Sequence, residues 1–221
     1  MKLIHSLFNK EKWSYFGKTL RFSLHCLTSP FDGFWDLNHE KRGSLSAATF
    51  IFIMTLLTNI WRLRYTKFTF VLVQWEKENI VFDLLAIIIP IAIYCLANWS
   101  LTTLFDGKGT LKDIYMATCY ALTPYVIVQI PMIILSHFFT MEEGAFYSYF
   151  GTFSLIWCGF LIIASVMMIH DFTFAKAMGM LIGTAVGMLV IIFLLILFFS
   201  LISDGIAYFV SIYKEIAFRL Y

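Results

Sequence analysis

Five long stretches of this chain carry almost no charge: residues 44–61, 80–105, 114–139, 149–169 and 177–202. Each is long enough, or nearly so, to cross about 30 Å of hydrocarbon as a helix rising ~1.5 Å per residue. Lipid offers the backbone no hydrogen-bond partner, so each segment must satisfy its own amide groups, which forces helices. A membrane barrel would need alternating segments of roughly 10 residues, and none are present. Composition agrees: 60% of residues are hydrophobic and 14% charged, with mean hydropathy +0.81, whereas soluble domains carry about 25% charged residues. The expected fold is an all-α membrane protein, a five-transmembrane-helix bundle with no sizeable soluble domain.

The loops indicate sidedness. With five spans, the N-terminal region shares a side with the turns containing Lys108, Lys112 and Lys176. That side holds ten Lys and Arg, and the other holds six, the loop bases Arg62, Arg64, Lys67 and Lys77 with Lys214 and Arg219. Excess Lys and Arg marks the cytoplasm, so the N-terminus is expected inside and the C-terminus outside. Residues 1–43 interleave Trp13, Phe16, Leu20, Phe22, Leu24 and Leu27 with bases, the pattern of an amphipathic helix on the inner leaflet. Ser29-Pro30 and Asp32-Gly33 break it. These first residues contain no continuous apolar run of the signal-peptide kind. Residues 44–203 form the expected transmembrane domain. Residues 204–221 have a helical apolar pattern with Lys214, Glu215 and Arg219 and are expected as an extracytoplasmic interfacial helix. Residues 68–75 are apolar and β-prone but too short to span, suiting a short strand or an interfacial plug.

Chemistry-bearing motifs are sparse. Asp106-Gly107-Lys108-Gly109 has the wrong spacing for a phosphate loop and follows a membrane helix. Its glycines instead suit a tight reversal, through backbone angles open to glycine, kept in water by Asp106, Lys108, Lys112 and Asp113. Gly179, Gly183 and Gly187 recur every four residues, a face that lets another helix approach closely; the partner helix is left open between this chain and another. At membrane depth Asn98 and Gln129 are expected to tie helices together. No carboxylate sits in the middle of a span, which argues against an ion-coupled pump. His-Glu-x-x-His and Gly-x-Ser-x-Gly are both missing. Glu142-Glu143 lacks the nearby Arg that paired intramembrane glutamates would need, and His137 and His170 lie at span ends. Cys26, Cys95, Cys119 and Cys158 are scattered without metal or disulfide spacing. A net charge of +2 gives no reason to expect nucleic acid. No catalytic residue, cofactor or metal is therefore expected.

Several pieces together resemble the Yip-one family of Ypt/Rab-interacting membrane proteins, in its bacterial branch. Before the first span these are Ser29-Pro30, Phe34, Leu37 and Glu40-Lys41-Arg42-Gly43-Ser44. Farther on they are Asn98-Trp99, Asp106-Gly107-Lys108-Gly109, Lys112-Asp113-Ile114-Tyr115 and Tyr120-Ala121-Leu122-Thr123-Pro124. The resemblance covers roughly residues 29–203. It implies a cytoplasmic N-terminus, five helices and an outward C-terminus, in a bacterial cytoplasmic membrane. Eukaryotic relatives bind prenylated small GTPases through longer N-terminal regions, so that role is not carried over. Some bacterial members accompany carbohydrate import systems. The expected function is thus a non-enzymatic scaffold or accessory subunit of a membrane complex, with an ABC-type importer as one candidate. The partners are the bilayer and other membrane subunits or a second copy. The alternatives are a channel or permease for a small uncharged solute, with Pro90, Pro124 and Pro131 breaking helices around a polar cavity, or a membrane-shaping protein.

Overall fold

The computed structural model describes residues 10–67, 70 and 79–220. The expectation for residues 68–75 thus falls, Phe70 apart, outside the described residues. Among the described residues eight helices follow one another: α1 (Lys10–Thr28), α2 (Pro30–His39), α3 (Leu45–Tyr65), α4 (Ile80–Leu104), α5 (Leu111–Ala121), α6 (Thr123–Leu135), α7 (Gly144–His170) and α8 (Phe174–Leu220). Among these residues five segments are long and apolar enough to cross a membrane: α3, α4, α5 with α6, α7, and α8. The protein is a multi-span, all-helical membrane protein. Its outer faces expose Ile53, Phe82, Phe153, Ile156, Leu189 and Phe193, side chains that water would not tolerate in such number and that lipid solvates.

Helix ends are fixed locally. Ser44 caps α3 by accepting from the Ala47 amide at 3.1 Å, and Asn79 caps α4 by accepting from Val81 at 3.0 Å. Thr110 and Asp113 form a reciprocal capping box on α5. The third span, expected as one helix, breaks at Leu122. Pro124 has no amide hydrogen, so Tyr120 loses its usual i+4 partner; the Thr123 hydroxyl donates to the Tyr120 carbonyl instead, at 2.7 Å. Pro90 and Pro131, by contrast, lie within α4 and α6.

The main core joins the N-terminal helices to the spans. Cys26, Phe34 and Leu37 are buried with Ala47, Ala48, Ile51, Ala117, Tyr120, Leu161 and Ala164. The Tyr120 hydroxyl donates to the Thr19 carbonyl at 3.1 Å, and Asn38 donates to the Ile169 carbonyl at 3.1 Å. The α1–α2 pair is therefore seated on the bundle, with Tyr15, Lys18, Arg21 and Leu24 on its exposed side. Burial, and secondarily the Asp36 carboxylate, pushes the Cys26 thiol up to about 12, so it stays protonated and poorly nucleophilic at neutral pH.

The last helix departs from the sequence expectation of a span followed by a separate tail. α8 is continuous for 47 residues, about 70 Å at the α-helical rise. Asp204 and Gly205 lie inside it. One aspartate and one glycine cost a helix of this length only about 1 kcal/mol each, too little to end it.

Candidate functional site

Three places in the fold gather polar or conformationally constrained residues. The first is a cavity of ≈ 560 Å³ between α3, α6 and α7, lined by Thr55, Asn59, Arg62, Tyr125, Gln129 and Tyr147, among others. Thr55, Asn59 and Arg62 follow at i, i+4 and i+7, which puts them on one face of α3. The Asn59 Oδ1 accepts from the Tyr125 hydroxyl at 3.3 Å and from the Arg62 guanidinium at 3.4 Å. The Arg62 Nε is buried without a hydrogen-bond partner. Gly151 on α7 leaves room beside Gln129: a Cβ there would lie 3.5 Å from Nε2. Phe70 stacks on Tyr147 with ring centres 5.3 Å apart. Of the residues singled out in the sequence, only Gln129 lines this cavity. Arg62 was read there as a loop base, although its spacing from Thr55 and Asn59 marks a polar helix face.

The second place is the α4–α5 turn. Neither of its glycines has positive φ; that conformation belongs to Asp106, at 59°. Gly107 and Gly109 are required instead by close approach to the end of α7. A Cβ on Gly107 would come within 2.8 Å of both the Thr102 carbonyl and the His170 ring. The Gly109 amide donates to His170 Nδ1 at 3.1 Å, while Lys108 pairs with Asp171 at 2.8 Å. His170 is buried, and its Nε2 has no partner. Asp113 serves the α5 cap, and Asp106 is exposed.

The third is the glycine face of α8, which meets α4. A Cβ on Gly183 would strike the Leu101 side chain at 2.7 Å, and one on Gly187 would touch Ala97 at 3.6 Å. Gly179 faces open space. Beside this contact Asn98 is fully buried and donates to Thr184 Oγ1 at 3.2 Å. Asn98 Oδ1 is left without a partner, and Thr184 keeps its own bond to the Met180 carbonyl. Replacing Asn98 by leucine, which keeps the same branched skeleton and removes that orphaned acceptor, should therefore cost less than about 1 kcal/mol. Thermal unfolding in detergent checks this, with a shift of no more than roughly 4 °C expected.

A family model described as the Yip1 domain matches residues 24–201. The chain belongs to the Yip1-domain family. No curated protein and no solved structure gives a significant match. The Yip1-domain match starts within α1 and takes in α2 and every span. It ends inside α8, so the last turns of that helix lie beyond the matched segment. Both the α4–α5 turn and the Arg62 cavity fall within the Yip1 domain. Among the described residues, no cluster of three or more His, Cys, Asp or Glu is placed to hold a metal.

Proposed function

We propose that this Yip1-domain protein is a non-enzymatic scaffold or accessory subunit that holds a membrane complex together. The observation that carries the proposal is the far half of α8. Its first half packs on α4 through Gly183, Gly187 and Thr184. From Leu189 to Phe218 nearly every residue is exposed, including Ile206, Phe209, Tyr213 and Ile216. A bilayer covers about 20 residues of such a helix. The remainder continues along the same unbroken helix, out of the hydrocarbon, still displaying large apolar side chains. Such a patch is stabilised by a protein surface.

The finer assignments are the bacterial branch, a cytoplasmic membrane with N-terminus inside and C-terminus outside, and an ABC-type importer as the complex served. They rest on the loop charges and the family resemblance. Gentle extraction of the full chain from native membranes, followed by native mass determination, tests the proposal. A particle heavier than the chain, with a second subunit identified by peptide mapping, is expected; a partner-free monomer counts against it.

A second reading is passage of a small uncharged solute, favoured by the cavity beside Gln129. Solute-driven swelling of proteoliposomes that Gln129→Leu abolishes would support it, and swelling no faster than in empty liposomes would remove it.

A further inference from the structure

We propose that the cavity between α3, α6 and α7 binds a phosphate-bearing ligand, with Arg62 as the anchoring group. This does not depend on whether the protein serves a complex or passes a solute.

The cavity carries the Arg62 cation. Among the described residues no carboxylate lines it, and Arg62 has no ion pair. Its hydrogen bond to Asn59 Oδ1, an acceptor that Tyr125 shares, is long at 3.4 Å, and its other hydrogen-bonding neighbour, the Tyr125 hydroxyl, carries no negative charge to balance it. The Nε is sealed from solvent and bonded to nothing. Arg62 is half-buried, and an anion that reached its sealed Nε would complete a donor that water cannot. The fork of donors suits an oxyanion that can accept two bonds at once, as phosphate does.

The surrounding groups extend that preference. Gln129, Tyr147 and Thr152 line the same space, and each can donate to further oxygens. Apolar walls come from Ile87, Phe70 and Leu155, against which a glycerol or acyl portion would lie. A volume of ≈ 560 Å³ is far more than one ion needs, since a water takes about 30 Å³, and it falls in the ordinary range for small-molecule pockets. The site therefore fits a phosphate ester. Its source is either a lipid headgroup entering from the bilayer or a soluble ester entering from water.

The test uses the full chain in a non-ionic detergent and measures binding by native mass spectrometry. The probes are dioctanoyl phosphatidylglycerol, dioctanoylglycerol, glycerol 3-phosphate and inorganic phosphate. Saturable binding of at least one phosphate-bearing probe is expected, with dioctanoylglycerol not binding. Dioctanoyl phosphatidylglycerol alone marks a lipid site; glycerol 3-phosphate binding as well marks a site for the ester itself. Arg62→Gln should weaken binding roughly 10- to 100-fold, the weight of a charge-assisted hydrogen bond. Arg62→Lys keeps the charge but loses the fork and should fall between. Thr152→Trp fills the cavity from α7 without altering Arg62 and should also abolish binding. The proposal is overturned if no phosphate-bearing probe binds saturably, if dioctanoylglycerol binds equally well, or if folded Arg62→Gln binds like the wild type.

Discussion

Gly109→Val is expected to lower the melting temperature of the detergent-solubilised protein by about 6–12 °C. That follows from about 3 kcal/mol of overpacking in a chain of this size. The Gly109 amide sits against the end of α7, where a Cβ would run into the Ile169 side chain and the His170 ring, 2.7 Å from Cε1. Neither neighbour can yield easily, because both are buried. Moving the turn away would break the bond from Gly109 to His170 Nδ1. The imidazole already has an unpartnered Nε2 and would then be buried with no hydrogen bond on either nitrogen. Lys108→Ala is the matched control. Its ion pair with Asp171 is largely exposed, and exposed pairs contribute about 0–1 kcal/mol. A Gly109→Val protein that melts with the wild type would mean the turn is not clamped to α7.

The second large effect is expected at Gly33. A Cβ there would fall 2.7 Å from the Cys26 Cα and 3.1 Å from the Cys26 amide nitrogen. Those are backbone atoms, so no rotamer change relieves the clash. Gly33→Val should force α2 off α1 at a cost of about 3 kcal/mol or more. The same displacement should uncover Cys26, which is fully buried in the native fold. Maleimide labelling, mapped to Cys26 by peptide mass, reads this directly: negligible in the wild type and rapid in Gly33→Val. Equal, slow labelling of both would contradict this packing.

Much of the architecture was legible because the bilayer imposes it. Uncharged length alone located the five spans, since a chain in hydrocarbon has few alternatives. What failed were the points where a local signal had to be weighed against its surroundings. The expected boundary between residues 203 and 204 is not a helix end, because Asp204 and Gly205, two weak helix formers, do not stop a helix this long. Pro124 was noticed, but the break lies at Leu122, where Tyr120 loses its i+4 donor. Gly107 and Gly109 were read through backbone angles, while their real constraint is the distance to α7, which sequence does not contain. The cavity was the least visible feature. Arg62 was counted as a loop charge because Tyr125 and Gln129, which line the cavity with it, come from a different span. Only the Thr55–Asn59–Arg62 spacing could have flagged that face.

The seating of α1 and α2 on the bundle refines the expected N-terminal region. Tyr120 and Asn38 tie these helices to protein rather than leaving them on lipid alone. One face still remains exposed for the membrane or a partner. α8 then supplies a second exposed surface, a largely apolar one, and its first half is tied to α4.

Site-specific photo-crosslinking in native membranes tests the partner-holding account most directly. The crosslinker is placed in turn at Phe209 and Tyr213 on the far half of α8, with Ile196 as the lipid-facing control. A discrete protein adduct from Phe209 and Tyr213, absent from Ile196, is the predicted result, whether the adduct contains another subunit or a second copy of the chain. Adducts to lipid alone at Phe209 and Tyr213, in a chain correctly inserted in the membrane, would contradict it.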